Sequence, residues 1–116
     1  MSDMPKVVVH HRDVHIGANL LESIERRCAT LADEFSEASR FELSFENHGM
    51  TVRGLAHATG RRTDLATHAE ASDPGIVVDR VLDKIERQLR RSHDKRVFGR
   101  RRDARRAQLK KRQGEM

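Results

Sequence analysis

Aromatic side chains, cysteines and long apolar runs are scarce in this 116-residue chain. Four Phe with no Trp or Tyr disfavour a surface that stacks splayed nucleic-acid bases on aromatic rings. The single cysteine, Cys28, allows neither an internal disulfide nor a zinc cluster of the CxxC kind. Because no apolar run reaches membrane-spanning length and no secretory signal pattern is present, we expect a cytoplasmic protein without a membrane partner.

Motifs that would indicate catalysis are also missing. The chain contains no GxSxG, no phosphate-cradling GxxxxGK[ST] and no HExxH. Seven histidines are present, but adjacent His10 and His11 lie on a predicted strand and would point to opposite faces of a sheet. Cys28 lies on the apolar face of a predicted helix, as a small buried hydrophobe would. We therefore expect no enzyme, no metal site, no cofactor and no small-molecule substrate.

Positive charge is concentrated at one end of the chain. Overall there are 23 basic and 18 acidic residues, and the sequence pI is about 10.1. Residues 97–116 contain eight basic and two acidic residues, whereas residues 1–96 contain 15 basic and 16 acidic ones. The sequence therefore predicts one near-neutral folded domain over residues 1–96 and a basic, flexible tail over residues 97–116.

Hydrophobic periodicity predicts an α+β fold. Four segments have β-branched runs or strand-like alternation: 6–12, 41–47, 51–59 and 64–72. Amphipathic spacing predicts a helix over about 19–35 and a second one that begins at Asp73-Pro74, a favoured N-cap followed by a favoured first residue. The order β-α-β-β-β-α should place both helices on one face of a four-stranded mixed sheet. A helix connects the first two strands, which predicts that they are parallel.

The charges of the second predicted helix are sorted by face. Its apolar stripe consists of Val78, Val81, Leu82, Ile85 and Leu89. Roughly opposite, within about 60° of one another, lie Arg80, Lys84, Arg87 and Arg91. Beside them Asp79, Asp83 and Glu86 form an acidic face, and an i,i+4 pair of Asp83 with Arg87 is expected to neutralise part of the basic one.

A basic helix face is often only a solvated surface. Here the excess continues along the chain, with fourteen basic and three acidic residues between Lys84 and Arg112. So dense a run favours a polyanionic partner that is recognised through phosphates and shape.

The segment DRVLDKIERQLRRSHDK, residues 79–95, resembles the last helix of the ribosome hibernation-promoting factor family, also called ribosome-associated inhibitor A, in its short form. The resemblance spans about Lys6 to Lys95 and includes the core spacing of the first helix. It implies a fold similar to double-stranded-RNA-binding domains. It also implies a translation-inhibiting factor of the stress response, which binds 16S rRNA and occupies the mRNA/tRNA channel of the small ribosomal subunit.

The same resemblance implies which residues contact RNA. These are Arg27 in the first helix and Lys84, Arg87, Arg91 and Lys95 in the second, and Arg80 joins them because it shares their helix face. The chain departs from the family at Thr30, where Lys is usual, and at Pro74-Gly75, where Met-Tyr is common. Both departures weaken the expected contacts at these positions.

Two further features separate the chain from other members. Its tail is basic and does not resemble the acidic extension of the inhibitor-type proteins, and we expect no dimerisation domain of the long form. The alternative hypothesis is therefore a general structured-RNA-binding or ribosome-assembly protein whose tail supplies most of the affinity. A protein-binding modulator of an alternative sigma factor is a weaker variant of it.

Overall fold

The computed structural model describes the backbone of residues 4–114 and the side chains of residues 4–95. Its elements are β1 (Lys6–Arg12), α1 (Ala18–Glu34), β2 (Ala38–His48), β3 (Thr51–Gly60), β4 (Thr63–Ala71) and α2 (Pro74–Gly114). The strands form one sheet in the order β1-β2-β3-β4, in which β1 is parallel to β2 and the other neighbours are antiparallel. The predicted α+β order and the parallel first pair are confirmed.

The hydrophobic core lies between the sheet and the two helices. In β2 the side chains of Phe41, Leu43 and Phe45 are at most 1% exposed, and the residues between them point to the other face of the sheet. All five residues of the predicted α2 stripe are buried and are joined by Val77. Full burial of an aliphatic or aromatic side chain contributes roughly 1.5–3 kcal/mol to the free energy of unfolding. The contact between α2 and the sheet is therefore the main stabilisation of the fold.

A glycine allows α2 to pack closely on β3. A Cβ atom at Gly54 would lie 2.5 Å from Cγ1 of Val77 and 3.1 Å from the ring of Phe45. Any larger residue at this position would push the helix away from the sheet. The glycine that weakens the alternating pattern of β3 therefore sets the distance between helix and sheet.

The second helix begins where the sequence predicted and continues further than expected. The backbone N–H of Ile76 donates to Oδ2 of Asp73 at 3.3 Å, which confirms Asp73 as the N-cap. The helical backbone extends to Gly114, because no proline interrupts it, and includes residues 97–114 of the predicted tail. The side chains of that tail lie outside the described residues, and its flexibility stays a prediction. None of the described helices has an apolar segment long enough to cross a membrane.

We expect the thiol of Cys28 to be unreactive in the folded protein. Burial raises the pKa of Cys28 from 9.0 to about 12, against a smaller opposing effect of Arg27, so the thiolate is nearly absent at pH 8. Alkylation by iodoacetamide, followed by mass spectrometry, should be slow in buffer and fast in urea. Because the folded pKa is the higher one, this group should also reduce the stability of the fold as the pH rises from about 9 towards 12. Rapid alkylation of the native protein at pH 8 would contradict the burial.

Candidate nucleic-acid interface

Five exposed basic side chains follow one flank of α2: Arg80, Lys84, Arg87, Arg91 and Lys95. We call this row the basic ridge. Its first four members fall within about 60° of the helix circumference, and Lys95 continues the row at the next turn. The structure thus places five of the six predicted RNA-binding residues on one surface.

The first half of the ridge is seated on the edge of the sheet. β4 is the outermost strand, and its backbone carbonyls at His68 and Glu70 accept hydrogen bonds from Nζ of Lys84 and Nη1 of Arg80, each at 2.9 Å. Charged side chains that cover a strand edge also prevent it from pairing with another chain. These two bonds tie the first half of the ridge to the edge of β4.

The second half of the ridge has no internal partners in the part of the chain whose side chains are described. Within residues 4–95, no side chain forms an ion pair or a hydrogen bond with Arg87, Arg91 or Lys95. Two guanidinium groups and one ammonium group are therefore presented to solvent at steps of about 6 Å along the helix axis. Such a row can bind a phosphate backbone without first breaking an internal salt bridge.

Arg27 lies on the other side of α2. It comes from α1 and is only 30% exposed, with Nη2 at 2.8 Å from Oδ1 of Asp83 and Nη1 at 3.6 Å from Oδ1 of Asp79. The structure therefore separates this predicted RNA-binding residue from the basic ridge. The expected pair of Asp83 with Arg87 is wrong, because the packing of the helices turns Asp83 towards α1, where it pairs with Arg27, and leaves Arg87 without an ion pair within residues 4–95.

The outer surface of the helix pair is acidic. Its carboxylates are Glu22, Glu25, Asp33 and Glu34 of α1 and Asp79, Asp83 and Glu86 of α2. The basic residues on the same surface are held in ion pairs with these carboxylates: Arg26, Arg27 and Arg90. A polyanion is repelled from this surface and attracted to the flank beside β4, so the charges indicate the direction of approach.

A second set of contacts holds the end of the ridge in place. Nη2 of Arg90 lies 3.0 Å from Oε1 of Glu34, and its guanidinium is 5.9 Å from the ring centre of Phe35. His93 packs edge-on against the same ring at 5.8 Å and hydrogen-bonds Glu37 at 3.2 Å. Sequence reasoning missed this cluster, because its ion pairs join residues 56 positions apart, a separation without a local pattern.

Comparison with known proteins agrees with this fold. The sequence model of the family described as "Sigma 54 modulation protein / S30EA ribosomal protein" matches residues 7–97. The chain belongs to this family. The match confirms the resemblance to the hibernation-promoting factor family, and it assigns the chain to a family of ribosome-associated proteins. The S30EA family is not an enzyme family.

Two solved structures share the architecture of the chain. A ribosomal subunit interface protein from Coxiella burnetii is 20% identical with a TM-score of 0.66, and the match covers 77% of this chain and 98% of that one. The N-terminal domain of Protein Y from Thermus thermophilus is 19% identical with a TM-score of 0.66, with 76% and 98% covered. The comparison with curated proteins gives no match. At these identities the likeness shows the fold.

We expect Arg27 to act as a clamp between the helices. Arg27→Met keeps most of the side-chain stem but removes the charge that holds Asp79 and Asp83, and it should lower the free energy of unfolding in urea by about 1 kcal/mol. A double-mutant cycle with Asp83→Asn should give a coupling energy of roughly 0.5 kcal/mol or more. Arg26→Met is the matched control, because its pair with Glu22 joins two exposed side chains of one helix. Equal stability of the Arg27 variant and the wild type would refute the clamp.

Proposed function

We propose that this protein binds the small ribosomal subunit through its basic ridge and occupies the channel of messenger and transfer RNA. Translation then stops because the channel is filled, and no reaction is needed. The proposal rests on the second half of the ridge, Arg87, Arg91 and Lys95, which has no internal partner within residues 4–95 and is held rigidly on an S30EA fold. We call these three residues the free half of the ridge. The partner is 16S rRNA in the cytoplasm, and hibernation under stress is the physiological setting.

The distribution of aromatic residues supports recognition by phosphates and shape. Phe35, Phe41 and Phe45, the three Phe residues with described side chains, are all buried in the core. The exposed face of the sheet therefore offers no Phe for base stacking, which single-stranded RNA-binding sheets require. Charge and shape are what the described surface offers to a structured RNA.

The alternative is a general structured-RNA-binding or ribosome-assembly protein driven by residues 97–116. The observation in its favour is the helical backbone of residues 97–114, which keeps eight basic residues on one continuous helix with the ridge. A cationic helix of this kind adds affinity for any phosphate backbone. The two hypotheses differ in whether the folded domain or the tail selects the ribosome.

Charge reversal at the free half of the ridge tests the first hypothesis. Arg87→Glu with Arg91→Glu changes the local charge by four units at exposed positions, so the stability should change by no more than about 0.5 kcal/mol for each substitution. We expect the variant to lose co-sedimentation with 30S and 70S particles and to lose inhibition of a cell-free translation reaction.

The matched control is Lys6→Glu with Arg12→Glu, an equal change at two exposed residues of β1. This control should bind and inhibit nearly as the wild type does, since β1 lies at the opposite edge of the sheet from the ridge. Equal losses in both variants would mean that net charge alone determines binding, and the proposed interface would then be wrong.

Removal of the tail tests the alternative hypothesis. A chain that ends at residue 96 should bind ribosomes and free duplex RNA more weakly by similar factors, because a cationic segment adds affinity without shape recognition. The ratio between the two affinities, measured at one salt concentration, should therefore remain. If the truncated chain loses its preference for ribosomes while the ridge variant still inhibits translation, the general RNA-binding function replaces the first proposal.

A further inference from the structure

We propose that the tip of the β3–β4 hairpin is a second contact with RNA, in which the guanidinium of Arg62 binds a phosphodiester group beside the end of the basic ridge. The inference rests on the proposed function and extends its site to a separate element of the fold. It follows from the shape of the hairpin tip, from its attachment to the rest of the protein and from the charges around it.

The hairpin tip is a two-residue turn that consists of two arginines. Gly60 pairs with Thr63, so Arg61 and Arg62 alone form the connection, and Oγ1 of Thr63 donates to the carbonyl of Arg61 at 2.9 Å. Arg62 has a φ of 51°, a left-handed conformation in which Gly or Asn is less strained. Strained backbone conformations of this kind cluster at ligand-binding and active sites, which favours a functional role for the side chain of Arg62.

The tip is anchored to the connection between α1 and β2. The backbone N–H of Arg61 donates to the carbonyl of Glu37 at 2.9 Å. Gly60 packs against the same group so closely that a Cβ atom there would lie 1.8 Å from the oxygen of Glu37. Two neighbouring residues of the hairpin are thus fixed on one residue of the domain, and the backbone of Arg62, the next residue, is held in place before any ligand binds.

Glu37 also connects this tip to the end of the ridge. Its side chain is only 12% exposed and hydrogen-bonds Nδ1 of His93, two residues before Lys95. The ridge itself runs towards the hairpin, because α2 is antiparallel to β4. Arg80 hydrogen-bonds Glu70, and Lys84, one turn further along α2, hydrogen-bonds His68, which is two residues closer to the start of β4. The hairpin tip therefore continues the line of Arg87, Arg91 and Lys95.

The charge of Arg62 is not neutralised within the described part of the chain. No side chain of residues 4–95 forms an ion pair with it. The nearest carboxylate along the strand, that of Asp64, pairs with His57 on the open face of the sheet. The carboxylate of Glu37 is engaged with His93. An exposed guanidinium on an anchored turn, without a carboxylate partner among residues 4–95, has the chemistry of a phosphate contact.

Arg62→Asn is the decisive variant. Asn tolerates the left-handed backbone conformation, so the hairpin should keep its fold. We expect binding of the full-length chain to 30S subunits to weaken roughly three- to tenfold. The slope of log affinity against log salt concentration should fall by about one unit, as expected for the loss of one phosphate contact. Arg62→Lys should restore most of the slope. The melting temperature serves as the test of folding.

Arg12→Asn is the matched control, since it removes one exposed charge at the far end and the far edge of the sheet. It should leave the salt slope unchanged, and an equal effect of both variants would overturn the assignment to Arg62. An unchanged affinity and slope of Arg62→Asn, with binding lost in the Arg87 and Arg91 variant, would overturn the hairpin contact and leave the proposed function intact. Failure of the wild type to bind 30S subunits would overturn both.

Discussion

The packing of the apolar stripe of α2 against β3 and β4 is the constraint on which the rest of this structure depends. Six buried residues, from Val77 to Leu89, fix the rotation of the helix about its own axis, and Gly54 fixes its distance from the sheet. Once the rotation is set, the direction of each charged residue on α2 up to Lys95 is determined. The core therefore decides the electrostatics of the surface, although no charged side chain belongs to it.

The rotation of α2 divides the surface into two regions of opposite sign. Asp79 and Asp83 face α1 and are satisfied by Arg27, while Arg80 and Lys84 face the edge of β4 and are satisfied by backbone carbonyls. These contacts stabilise the fold modestly, as exposed ion pairs do. Their larger effect is to hold the basic ridge away from the acidic surface, so that a polyanion meets one row of cations on a rigid support.

Much of the fold was predictable because it is encoded in local patterns. Alternation in β2, the spacing of three and four in both helices and the Asp73-Pro74 start each depend on residues close in sequence. The predicted strands and helices were all found, whereas the continuation of α2 to Gly114 was not expected, because residues 97–114 have almost no apolar periodicity. The sharing of one helix face by Arg80, Lys84, Arg87 and Arg91 was predictable for the same reason.

What the sequence by itself determined is therefore the order of elements, the core and the grouping of charges on α2. Only the tertiary structure decided which segment of the protein each group of charged residues contacts. Arg27 looked equivalent to the ridge, yet it pairs with Asp83, 56 residues away. The β3–β4 hairpin is attached through the backbone of Arg61 to Glu37, whose side chain hydrogen-bonds His93 of α2. Helical periodicity specifies an angle on one helix, whereas an ion pair requires two segments to meet, and that meeting is set by the packing of the whole core.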